Sequence, residues 1–206
     1  MIEFEQTAQI KDWLGSGSIN FFGLPFAGKD SQAKRLAERL DGIVLSSGDI
    51  LRQSGSPEAK AVMAKGGIAP TEHFIATVLP YLKKDEYTGH PLMLSSVGRW
   101  HGEEDGVLGA LNESYHPLKA VIYLSLEADI AIQRVDLEEN KTERGTRHDD
   151  GKEKLLTRIN EFNEKTLPVI DYYRNAGLLI EVDASLSKDE VERTILDQLA
   201  LRAAQS

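Results

Sequence analysis

The segment Gly23-Leu24-Pro25-Phe26-Ala27-Gly28-Lys29-Asp30-Ser31-Gln32 is a glycine-bounded loop that ends in a lysine and a hydroxyl residue, directly after the apolar run 19–22. A strand running into such a loop, and from it into an amphipathic helix over residues 31–40, restricts the chain to a strand–loop–helix unit with a defined chemistry. The glycines let the backbone turn so that successive N–H groups point inward, and the helix offers its positive N-terminus to the same anion. The unit is a phosphate cradle, with Lys29 placed for β- and γ-phosphates and Ser31 for the accompanying metal ion.

Further short apolar strands are expected at 43–46, 91–95, 120–125 and 178–182, each separated from the next by helical pattern or polar loop. Parallel strands need helical crossovers, so this alternation predicts a three-layer α/β/α domain around a five-stranded parallel sheet. Ligands in such sheets bind at the carboxyl ends of the strands, where the phosphate loop already lies. A short helix over residues 5–14, ended by Gly15-Ser16-Gly17, precedes the first strand. Residues 1–17 are therefore expected to be an extension packed on the surface of a domain spanning 18–206, with no chemistry assigned to it.

A chain of 206 residues with 41% hydrophobic and 28% charged residues fits one soluble globular domain, with room for a small inserted subdomain. No apolar stretch approaches the roughly 20 residues needed to span a bilayer, and residues 1–5 lack the basic, apolar start of a secretion signal, so the expected compartment is the cytoplasm. With no cysteine there is neither a disulfide nor a thiolate zinc site. A net charge of −9 argues against general nucleic-acid binding.

After the second strand, Ser46-Ser47-Gly48-Asp49-Ile50-Leu51-Arg52 opens a helix with a hydroxyl, a glycine and an arginine, the makings of a second anion site. A helical stretch to Lys65 follows. Then Gly66-Gly67-Ile68-Ala69-Pro70-Thr71 stops one helix and starts another.

With these segments in this order, the chain resembles the adenylate kinase and nucleoside monophosphate kinase family over roughly residues 18–200. Gly23 to Gln32 is similar to that family's Gly-x-Pro-Gly-x-Gly-Lys-Gly-Thr-Gln, and Ser46 to Arg52 to its Ser-Thr-Gly-Asp-x-Leu-Arg. Gly66 to Ala69 resembles the end of its acceptor segment, and Leu92 to Arg99 its Leu-Leu-Asp-Gly-Phe-Pro-Arg. Arg147-His148-Asp149-Asp150, Arg158, Thr166 to Ile170 and Tyr172-Tyr173 are similar to its closing segment.

The resemblance implies a magnesium-dependent kinase that passes the γ-phosphate of ATP to a nucleoside monophosphate, AMP first, with ATP and that acceptor as its partners and a monomer as its state. It implies donor contacts from Gly23, Pro25, Phe26, Ala27, Gly28, Lys29, Asp30, Ser31 and Gln32, with Arg134 stacking on the donor base. Acceptor contacts fall to Ser47, Gly48, Arg52, Gly67, Ile68, Ala69, Ser96, Arg99 and Glu103. The catalytic cations are Lys29, Arg99, Arg147 and Arg158, and Ser31 is on the magnesium. An acceptor-binding insert at about 47–78 and a short lid at about 135–148 complete the arrangement, the latter closing over the phosphates to exclude water.

Departures from the family pattern qualify the substrate. Phe26 and Asp30 stand where glycines are usual, and Ser95 stands where an aspartate commonly holds the metal's water shell; Asp30 or Asp49 could supply that carboxylate through water. Glu138 replaces an arginine, and Arg144 could restore the charge. Glu103 falls where a glutamine or asparagine reads the acceptor base. A carboxylate there only accepts hydrogen bonds, which suits guanine or cytosine. Open beside an AMP kinase are therefore a kinase for GMP, CMP or UMP, a nucleotide-binding module with little or no turnover, and a P-loop kinase for a small non-nucleotide acceptor.

Overall fold

The computed structural model describes residues 2–139 and 151–205. Five strands, β1 (Ser18–Gly23), β2 (Ile43–Ser46), β3 (Leu92–Ser95), β4 (Leu118–Ser125) and β5 (Leu179–Asp183), form one parallel sheet in the order β2-β3-β1-β4-β5. The expected strands are all present, displaced at their ends by a residue or two.

Period-two alternation explains the layering. Phe22, Leu92, Leu94 and Val121 enter one hydrophobic core, while Ile19, Phe21, Met93, Ala120 and Ile122 enter a second on the opposite face. Both faces of β1 are thus covered, and all six of its residues are buried, as a central parallel strand requires.

The first core is closed by α3 (Ser47–Ser54), α4 (Pro57–Ala64), α5 (Thr71–Leu82), α6 (Glu104–Glu113), α8 (Lys152–Glu161) and α9 (Leu167–Asn175). The second is closed by α1 (Ile2–Leu14), α2 (Lys29–Leu40) and α10 (Lys188–Ala204). The remaining helix, α7 (Ala128–Glu139), contributes Ala131 to one core and Val135 to the other.

Helix boundaries differ as well: α1 starts at Ile2 and α2 at Lys29, both earlier than expected. The stretch to Lys65 is two helices, because Ser56 accepts a hydrogen bond from the Ala59 N–H and Pro57 takes the first helical position, which starts α4 afresh. The stretch expected as an acceptor-binding insert, about 47–78, holds α3, α4 and most of α5, which runs on to Leu82. Of the stretch expected as a lid, residues 135–139 are the last part of α7, with Val135 in the core, and 140–148 lie outside the described residues. Among the described residues no helix is long and apolar enough to cross a membrane.

Candidate active site

The cradle forms where β1 ends. Gly23 presses on β4, where a Cβ would meet the Leu124 carbonyl oxygen at 2.7 Å, and Gly28 caps α2 with φ 92°, a conformation that costs other residues about 1 kcal/mol or more. No side chain caps α2, so the N–H groups of its first turn face the loop. Phe26 also takes a left-handed conformation, φ 64°, with its ring packed against the first core.

Lys29 folds back over the loop and donates to the carbonyls of Gly23 at 2.9 Å and Leu24 at 2.8 Å. Burial pushes its pKa down to about 7; neighbouring Asp30 raises it, and the charges of Arg99 and Arg158 depress it further. Arg99 is likewise lowered to about 10, first by burial and then by Arg158. Three of the expected catalytic cations therefore lie within electrostatic reach of one another, with Asp30, Glu103 and Glu161 offsetting part of their repulsion. The fourth, Arg147, lies outside the described residues, as does Arg144, and nothing describes the side chain of Glu138.

Arg134 donates to the carbonyls of Phe26 at 3.0 Å and Ala184 at 2.6 Å, tying the cradle to the loop after β5. Asp30 lies at the start of α2 and accepts from the Ser95 hydroxyl at 2.7 Å. Asp49 is placed otherwise: it pairs with Arg52 at 2.6 Å on the exposed face of α3, so Asp30 is the carboxylate at the cradle. Gln32, expected among the donor contacts, is buried with its amide donated to the Lys188 carbonyl at 2.8 Å, which binds α2 to α10.

Beside the cradle opens a cleft lined by Ser47, Gly48, Gly67, Ile68, Ala69, Ser96, Arg99 and Glu103, with Leu51, Met63, Phe74 and Trp100 completing the wall. Of the expected acceptor residues, only Arg52 is absent from that lining. Its guanidinium lies over Gly48, where a Cβ would stand 3.2 Å away.

Glu103 takes part differently than expected. One oxygen accepts from the Thr71 hydroxyl at 2.8 Å, and the other from the backbone N–H groups of Arg99 at 2.8 Å and Trp100 at 3.0 Å. Its carboxylate therefore joins α5 to the arginine-bearing loop, and its pKa is raised, chiefly by burial.

Several residues that the sequence reading missed hold the site. Asn20, a polar residue inside an apolar strand, donates to the Val97 carbonyl at 2.7 Å and so fixes the loop that carries Arg99. Its interruption of the strand pattern was the available signal. Trp100 donates its indole N–H to the Ala69 carbonyl at 2.9 Å, with the Lys165 ammonium 4.1 Å from the ring centre. Glu161 accepts from the Ile68 N–H at 3.1 Å and binds Lys165 at 2.5 Å, linking α8 to the acceptor loop. Between α8 and α9 a π-helical turn, Phe162–Thr166, lets the Thr166 hydroxyl reach the Arg99 carbonyl at 3.3 Å.

The loop after β1, the cations Lys29, Arg99 and Arg158 and the adjoining cleft lie together, the kind of arrangement that phosphoryl transfer uses. The family model described as "Adenylate kinase" matches residues 21–178. An adenylate kinase of Synechococcus sp. (strain CC9902) is 34% identical over 181 residues, 85% of this chain and 94% of its own. One of Parasynechococcus marenigrum (strain WH8102) is 33% identical over 186 residues, 87% of this chain and 97% of its own. One of Prochlorococcus marinus (strain MIT 9211) is 32% identical over 187 residues, 88% of this chain and 96% of its own. With the family model spanning most of the chain and relatives of this identity aligned nearly end to end, the protein belongs to the adenylate kinase family and is a phosphotransferase.

Proposed function

We propose that the protein transfers the γ-phosphate of ATP to AMP, giving two ADP. The observation that carries this reading is the convergence of Lys29, folded over the loop, with Arg99, which lines the cleft, and Arg158 close to both. A transferring phosphoryl group with its donor and acceptor phosphates brings the negative charge that such converging cations stabilise. ATP occupies the cradle with its polyphosphate on the inward N–H groups and Lys29, and the acceptor occupies the cleft with its phosphate at Arg99.

An acceptor phosphate oxygen attacks the γ-phosphorus, and the bond to the β–γ bridging oxygen breaks. The acceptor is already ionised, so no general base is needed, and positioning with charge stabilisation does the work. Ser31 and Asp30 offer the oxygen donors that suit magnesium, which reduces the charge on the donor phosphates when bound with ATP.

AMP is favoured over other acceptors on two grounds. The relatives carry the name adenylate kinase, and the bonds Glu103 makes within the protein remove the reason to expect guanine or cytosine. Phosphorus NMR of the protein with magnesium, ATP and separately AMP, GMP, CMP or UMP tests this directly. Diphosphate signals are expected first and fastest with AMP; faster turnover of another acceptor would reassign the base, and silence in all four would refute the kinase.

A further inference from the structure

We infer that Asp30 makes the phosphate cradle selective for nucleotide that carries a divalent cation. The inference rests on the reading of the cradle as an ATP site. The backbone of the cradle, the start of α2 and Lys29 all favour an anion, yet the residue next to that lysine is a carboxylate. Asp30 is exposed at the head of α2, and the Ser95 hydroxyl donates to it at 2.7 Å from the carboxyl end of β3, the strand paired with β1. That bond comes from a different element and fixes the carboxylate against the sheet.

A carboxylate in this place repels a bare polyphosphate. With a magnesium ion on the phosphates the same group faces a cation and attracts it, either directly or through the waters that magnesium retains. The sign of its effect on binding therefore depends on the metal. Ser95 is the positioning residue of the pair.

The test is calorimetric titration of the full chain with ATP, once in excess magnesium chloride and once in excess EDTA, for the unaltered protein, Asp30→Asn and Ser95→Ala. Asparagine keeps the shape and can still accept from Ser95, and position 30 is exposed, so the variant folds; its melting temperature checks this. The unaltered protein is expected to bind magnesium-loaded ATP at least about 10-fold tighter than bare ATP, a typical size for one close charge pair in a partly desolvated site. Asp30→Asn is expected to bind bare ATP more tightly and magnesium-loaded ATP more weakly, bringing the ratio towards one. Ser95→Ala shifts both in the same directions by less. If Asp30→Asn moves both affinities together, or leaves their ratio unchanged, the inference is wrong while the ATP site stands. If the unaltered protein binds ATP in neither condition, the reading of the cradle falls with it.

Discussion

Lys29 donates two of its ammonium protons to the carbonyls of Gly23 and Leu24, so the loop itself aims the charge that phosphates would meet in the proposed site. The same burial that lowers its pKa makes it strong towards an anion, because little water competes. Lys29→Met is expected to lower transfer by 100-fold or more, about the loss of one preorganised charge donor, while the melting temperature holds, since the lost group is desolvated beside two other cations. Retained turnover would mean that the transfer site lies elsewhere. Glu103 gives a prediction with a pH signature. Its folded pKa lies above the ordinary 4.5, so between those values the folded state binds more protons than the unfolded one, and stability falls as pH rises through that window. Glutamine can present its oxygen to the two N–H groups and its amide to the Thr71 hydroxyl. Glu103→Gln is therefore expected to be at least as stable as the unaltered protein at pH 7, with the gain vanishing below about pH 4.5, as denaturant titrations at several pH values would record. The ranking of acceptors should not change; a switch in ranking would restore Glu103 as the reader of the base.

The elements that carry the site are held together by single bonds between neighbours distant in sequence. The loop proposed to bind the acceptor is gripped from two sides, by Trp100 at the Ala69 carbonyl and by Glu161 at the Ile68 N–H. Losing the indole donor leaves a carbonyl unpaired and loosens the acceptor wall, at a cost of about 1 kcal/mol, or roughly 5-fold. Trp100→Phe is thus expected to raise KM for AMP several-fold with a much smaller change in KM for ATP, since the cradle lies on β1 and α2; equal changes in both would make Trp100 a general packing residue. Such bonds explain where sequence reading succeeds and fails. The strands and the cradle are written in consecutive residues: alternation in β1 and β3, two glycines and a lysine in a fixed span. The break at Ser56-Pro57 is equally local, a hydroxyl cap followed by proline, yet the expected helical stretch ran through it to Lys65. The role of Glu103 was not, because its three partners come from residues 71, 99 and 100 and only the folded chain brings Thr71 to it. Asp49 and Asp30 looked alike as candidates until the fold paired one with Arg52 and the other with Ser95.

Across the whole molecule the two cores divide the work. The first lies under the acceptor helices and the helices that carry Arg158 and Thr166, and the second lies under α2 and the outer helices. The second core includes the N-terminal helix. Ile10 and Leu14 are almost wholly buried in it, and Gln6 bonds Asp197 of α10 at 2.7 Å. An extension expected to lie on the surface is thus part of the packing that holds α10, which in turn braces α2 through the bond from Gln32 and the pairs of Arg35 with Asp189 and Glu192. Burying those two side chains contributes roughly 1.5–3 kcal/mol each, partly offset by the entropy of ordering the helix. Removing residues 1–15 is therefore expected to cost about 3 kcal/mol and to lower the melting temperature by about 6–12 °C for a chain of this size. None of the residues in the cradle or the cleft comes from α1, so kcat at a temperature well below the new midpoint should match that of the full chain. A truncated protein that melts where the full chain does would reduce α1 to an appendage. One that melts lower and also loses kcat while folded would show that the brace through α10 to α2 sets the geometry of the cradle as well as its stability.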